Sequence, residues 1–201
     1  MEEENPLYKM RKREKGFSRI IVMDVESPKV NNLKGHILLT ERGARQLRET
    51  LMTKEKTKHN NFVVVKEKHT YIIFPDIGFV NITGIKDFSL LELIVPQFCE
   101  TFSVRGEDVT SQLVIDNVSA AGDFHCRIDL FRLQQKINLP EQRRHFSFHL
   151  DRNFFPGAVC KSVGLGTITV FPSGKYVIVG ARCQAHVNGI FQKMRALILT
   201  V

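Results

Sequence analysis

The stretch FPGAVCKSVGLGTITVFPSGKYVIVGAR, residues 155–182, decides the fold. Apolar residues alternate in TITVF (167–171) and again in KYVIV (175–179), the period of a β-strand with one covered face. Pro172-Ser173-Gly174 between them carries hairpin turn chemistry. Ala158–Val163 reads as a strand ahead of this hairpin, Gly180 ends the sheet, and a helix is expected around Gln184–Leu197. Alternation assigns faces: Ile168, Val170, Tyr176 and Ile178 inward, and Thr167, Thr169, Phe171, Lys175, Val177 and Val179 outward.

Working outward, NFVVVKEKHTYIIFPDIGFVNITGIK (61–86) repeats the same script. Its strands are Phe62–Lys66, Thr70–Phe74 and Phe79–Thr83, with a Pro75-Asp76-Ile77-Gly78 turn and a terminating Gly84. Val80 and Ile82 face inward; Phe79, Asn81 and Thr83 face out. An apolar helix from about Phe88 follows, bent or shortened by Pro96. Each half opens with a strand and a helix. These are Arg19–Glu26 and Thr40–Thr53 (Thr40 as N-cap) in the first half, and Gln112–Ala120 and Ile128–Ile137 in the second. TKEKTKHNN (53–61) reads as a linker, and the residues before Phe155-Pro156-Gly157 as irregular. Asp24 to Asn117 and Phe62 to Phe155 are each 93 positions apart, Phe74 to Phe171 is 97, and Gly84 to Gly180 is 96. So steady a period implies duplication. The expected organisation is a charged, flexible arm at 1–16 and repeats at 17–106 and 107–201. The expected fold class is α+β, an antiparallel sheet with helices on one face.

The composition narrows the function. The chain has 201 residues, 43% of them apolar, with a formal net charge of +8 and a pI of about 9.5, a balance that favours a polyanionic partner. No run approaches the roughly 18 apolar residues of a membrane helix, and the first residues are charged, so a cytosolic or nuclear protein is expected. Cys99, Cys126, Cys160 and Cys183 form no C-x-x-C pair, and His125 beside Cys126 has no second pair at metal-ligand spacing, so neither disulfide nor metal is expected. Gly164-Leu165-Gly166 lies between strands with no helix start to hold a phosphate, and no nucleophile motif is present; no catalytic residue and no cofactor is assigned. The outward face mixes Thr, Val, Asn and Phe with few charges, which suits a groove floor better than water.

Residues 155–182 resemble the second repeat of the TATA-box-binding protein family, 61–86 resemble its first repeat more weakly, and DNVSAAGDFHCRIDL (116–130) is similar to its first strand and short helix. The resemblance covers roughly residues 18–199. It implies a curved, saddle-shaped, ten-stranded sheet whose concave side sits on the minor groove of double-stranded DNA, with helices on the convex side. It implies that Phe62 and Phe74 at one end, and Phe155 and Phe171 at the other, wedge into base steps and kink the duplex. It further implies that Asn117 donates to A·T acceptors at the centre, that Thr83, Val177 and Val179 line the groove, and that Lys161, Lys175 and Arg182 lie near phosphates. A nuclear transcription initiation factor, or one acting at a viral transcription site, follows, with a transcription-factor-IIB-like protein or RNA polymerase machinery as partner.

The sequence also departs from the family. Asp24 stands where a first-repeat asparagine is expected, with Glu26 on the same face. A carboxylate cannot donate to A·T acceptors, though it can accept from a guanine amine. Ser119 and Val179 replace the usual Val and Thr. The interval from Phe62 to Phe74 is shorter than that from Phe155 to Phe171, a sign of one clipped end loop. HLDRN (149–153) lacks the acidic pair that holds factor IIB, leaving Asp151. The departures fit a divergent paralogue, or a copy carried by a large DNA virus or an early-branching eukaryote. They leave open a second function, a protein-interaction platform that has lost sequence-specific DNA binding.

Overall fold

The inward residues of the alternating segments bury one face of a single sheet, and helices cover that face. A computed structural model describes residues 25–199 apart from Asn60 and Arg152; the expected arm at 1–16 lies outside the described residues. The first repeat contributes β1 (Lys29–Leu38), α1 (Glu41–Leu51), β2 (Thr57–Lys58), β3 (Val63–Lys66), β4 (Thr70–Phe74), β5 (Phe79–Ile85) and α2 (Leu91–Phe102). The second contributes β6 (Val114–Asp123), α3 (Leu130–Ile137), α4 (Pro140–Arg143), β7 (Phe146–His149), β8 (Ala158–Ser162), β9 (Gly166–Val170), β10 (Lys175–Ala181) and α5 (Gln184–Ile198). The ten strands run in the order β2-β3-β4-β5-β1-β6-β10-β9-β8-β7, antiparallel throughout. The order reads the same from both ends, as a duplicated unit joined through its first strands must. This is the expected α+β architecture, and the α class of helix lies on the buried side.

Each half packs an aromatic cluster beneath the sheet. Tyr71, Phe98 and Phe102 fill the first, with ring centroids 5.1–5.9 Å apart. Phe124, Tyr176 and Phe191 fill the second, at 4.6–5.8 Å. All six are buried, and every residue assigned inward from the alternation is buried with them. Burial, with the Asp123 carboxylate adding to it, pushes the Tyr176 phenol up to about 12.

The helix starts follow from local chemistry. Thr40 caps α1, its Oγ1 accepting from the Gly43 amide at 3.0 Å. Its hydroxyl donates to the buried Asp108 carboxylate at 2.7 Å, and Arg42 Nε donates to the same group at 2.9 Å. The Thr40 hydroxyl, then Arg42, holds the Asp108 carboxyl below its ordinary range. A Cβ on Gly43 would stand 2.8 Å from that of Asp108, so the clasp needs glycine there. It ties the start of α1 to the segment leading into β6. Asp129 caps α3 through the amides of Phe131 and Arg132.

Three expectations need correction. The largest is the first strand: the strand that precedes α1 is Lys29–Leu38, residues 25–28 are not in the sheet, and the rest of the expected Arg19–Glu26 lies outside the described residues. The linker 53–61 and the stretch 138–154 were expected to be irregular but hold the edge strands β2 and β7, and the second also holds α4. Helix α2 runs through the exposed Pro96 to Phe102, so the proline removes one internal hydrogen bond without ending the helix.

Candidate nucleic-acid interface

The uncovered face of the sheet is built around two paired irregularities. In β1 and β6 the register slips between Val30 and Asn32, and between Asn117 and Ile115, leaving Asn31 and Asp116 as extra residues. In β5 and β10 the pairing slips beside Gly84 and Gly180, which adopt φ of +90° and +79°. Only glycine holds such values without strain. Each freed glycine amide turns to an asparagine: Gly180 N donates to Asn117 Oδ1 at 2.6 Å, and Gly84 N donates to Asn32 Oδ1 at 2.8 Å.

Those two bonds decide what the asparagines offer. With each carbonyl oxygen held by the backbone, the amide groups are presented as donors. Asn117 Nδ2 donates to Ser119 Oγ at 3.1 Å and Asn32 Nδ2 to Thr83 Oγ1 at 3.2 Å. Each amide keeps a second N–H, the group that matches the A N3 and T O2 acceptors of an A·T minor groove.

Asn32 therefore occupies in the first repeat the place of Asn117 in the second. Asp24 lies outside the described residues, and the asparagine assigned to its position is present eight residues later. A length difference hid it: Asn32 to Phe62 is 30 positions, whereas Asn117 to Phe155 is 38. A constant offset of 93 thus pointed past the true partner. The strand itself, KVNNLKGHIL, is poor in β-branched residues, because its exposed side carries Asn32, Lys34 and His36. Counting back from the Thr40 cap, as β6 precedes α3, would have found it.

The four phenylalanines form two pairs at opposite ends. Phe155 and Phe171 lie 5.8 Å apart at 61°, and Phe62 and Phe74 lie 5.5 Å apart at 39°. Phe155 is 42% exposed. A Cβ on Gly157 would meet both rings of the first pair within about 3 Å, at 2.9 and 3.0 Å, so Phe-Pro-Gly seats these rings over a bare backbone. Phe62 abuts β3 instead, which removes two of the four residues by which its interval to Phe74 is shorter; β8 is one residue longer than β3, and Phe171 lies one residue past β9, whereas Phe74 ends β4. The turns after β3 and β8 are equal, at 67–69 and 163–165. The clipped loop lies ahead of Phe62: β2 and β3 are joined by 59–62, whereas β7 and β8 are joined by 150–157.

Between the pairs lie the other expected residues. Thr83 is half-buried and bonded to Asn32, while Val177 and Val179 are exposed at 36% and 40%. Lys161, Lys175 and Arg182 are exposed along the margin of the second half. Several residues on this face escaped sequence reasoning: Lys34, paired in register with both Thr83 and Asn117 at the centre, and His36, whose ring stacks on Phe79 at 5.0 Å. His36 Nδ1 lies 2.9 Å from both oxygens of the Asp116 carboxylate. His59 stacks on Phe62 at 4.4 Å, so an aromatic row runs His59-Phe62-Phe74-Phe79-His36 across the first half.

Among the described residues no helix is long and apolar enough to cross a membrane. Residues 112–201 match the family model described as Transcription factor TFIID (or TATA-binding protein, TBP). No curated protein matches the chain significantly. The structure is similar to that of the Methanococcus jannaschii TBP, with a TM-score of 0.67 at 20% sequence identity, over 88% of this chain and 100% of that one. Residues 112–201 thus match the TATA-binding protein family, and the chain as a whole has the fold of the Methanococcus jannaschii protein.

Proposed function

We propose that the chain is a DNA-binding transcription factor that enters the minor groove through its open face, bends the duplex and brings transcription machinery to it. The carrying observation is one arrangement: two phenylalanine pairs at opposite ends of the open sheet, with two amide donors between them fixed by glycine N–H groups. An apolar wedge at each end unstacks a base step and widens the groove, at a few kcal/mol per step, and the widened groove then covers more of the floor. The net charge of +8 favours the encounter and makes it salt-dependent. A factor-IIB-like protein or RNA polymerase machinery is the partner this reading implies, and the nucleus or a viral transcription site its location. No catalytic step belongs to it.

One observation favours the second reading, a protein-interaction platform. The Asp116 carboxylate reaches the open face, where a phosphate-lined ligand disfavours negative charge. A fluorescence-anisotropy titration of A·T-rich, mixed and G·C-rich duplexes at two salt concentrations separates the readings. DNA binding predicts sequence-dependent affinity that falls with salt and drops roughly a hundredfold in Phe155→Ala/Phe171→Ala. Weak, sequence-blind binding indifferent to that pair would assign the face to protein.

A further inference from the structure

The open face is duplicated in its backbone but not in its chemistry, and the difference is confined to matching positions. In the second repeat Val177 of β10 pairs in register with Ala121 of β6. In the first repeat Asn81 of β5 pairs in register with His36 of β1, and these residues stand at the same distance from their bulge glycine and asparagine as Val177 and Ala121 do from theirs. Beside them, Thr83 matches Val179 and Lys34 matches Ser119. At these positions the second repeat is therefore small and, but for Ser119, apolar, whereas the first carries hydrogen-bonding side chains at all four.

The protonation pattern of the polar half follows from its partners. A carboxylate only accepts, so His36 Nδ1, 2.9 Å from both Asp116 oxygens, carries the proton, and in the neutral ring Nε2 is an acceptor. The Asn81 side chain offers an amide oxygen beside it. A guanine differs from the other minor-groove edges by its exocyclic N2 amine, a donor that projects into the groove. Against Val177 and Ala121 that donor is stripped of water and left unpaired, a loss of about 1–3 kcal/mol. Against Asn81 it meets an amide oxygen, and the neutral form of His36 adds Nε2 beside it.

We infer that the first repeat accommodates a G·C pair where the second requires A·T, so the saddle reads an asymmetric site and binds it in one orientation. The inference rests on the minor-groove reading above, and it needs no contribution from Asp24.

The test uses the full chain and three duplexes of equal length: A·T throughout the contacted site, G·C pairs in one half only, and G·C pairs in both halves. Affinities are read by anisotropy. The wild-type protein is expected to bind the half-substituted duplex within about threefold of the all-A·T one, and the doubly substituted duplex about tenfold or more weakly. Asn81→Val/His36→Ala, which copies the second repeat's own residues into the first, should abolish the difference between half and full substitution. The reciprocal Val177→Asn/Ala121→His should admit G·C in both halves. Equal weakening of wild type by half and full substitution would overturn the inference while leaving minor-groove binding intact. Loss of Phe-dependent binding to all three duplexes would instead overturn the reading beneath it.

Discussion

At one end of the open face Phe155 and Phe171 stand over Gly157 as a pair, with no further ring against them among the described residues. At the other, Phe62 and Phe74 are the middle of a row of five rings. The two ends share a backbone plan, including bulge glycines at positive φ, asparagines that cap their amides, and buried aromatic triads. They differ where side chains meet the outside. Features that the fold requires have been kept twice, because the sheet cannot close its hydrogen bonds without them. Features that only a ligand senses have diverged, and most of the divergence lies in the first repeat.

The largest effect expected from this contrast concerns the shared core. Phe98→Ala and Phe124→Ala each empty a fully buried ring site in one repeat and should each lower stability by about 3–5 kcal/mol in urea unfolding. Because β1 and β6 join the halves in one continuous sheet, both variants should shift a single cooperative transition. Two separate transitions, each moved by only one variant, would break the comparison by making the repeats independent.

Next in size are the bulge glycines. Gly84→Ala and Gly180→Ala force a Cβ onto a left-handed backbone and should each cost about 1–2 kcal/mol. Each should also displace the neighbouring asparagine and weaken A·T duplex binding. An equal loss in both repeats would support matched roles for Asn32 and Asn117. Weakened binding from Gly180→Ala alone would show that the first-repeat asparagine is structural.

The smallest effect separates two otherwise equal turns. Leu165, before β9, packs against the core, whereas its counterpart His69, before β4, is 5% exposed with neither ring nitrogen hydrogen-bonded. His69→Leu copies the second repeat into the first and should stabilise the protein by about 1 kcal/mol. Thermal denaturation would register the gain; a clear loss would mean that the imidazole has a polar role in that turn.

How far the sequence could be read follows the same division. The hairpins of both repeats were legible, since TITVF, KYVIV and TYIIF alternate cleanly with glycine and proline punctuation. The structure also brings Phe62 beside Phe74 and Phe155 beside Phe171, and sets Asn117 against Gly180, as residues picked out from the sequence. Strand β1 was not legible, because its exposed side carries Asn32, Lys34 and His36, and only one of its two partner strands lies in the same repeat. RIIVMDVE (19–26) offered a better-looking strand, and most of it lies outside the described residues. Edge strand β2 has only two residues, too short for any period. The His36–Asp116 pair spans 80 positions and becomes visible only when the bulge at Asp116 brings the two together.

A bend measurement tests the proposed action of the open face most directly. Energy transfer between dyes at the two ends of an A·T-centred duplex reports its end-to-end distance when bound. Saturation with the wild-type chain should shorten that distance markedly. Phe155→Ala/Phe171→Ala and Phe62→Ala/Phe74→Ala should each restore part of the length, since each removes one kink. A saturated complex in which the duplex stays as long as it is free would contradict a minor-groove saddle with phenylalanine wedges.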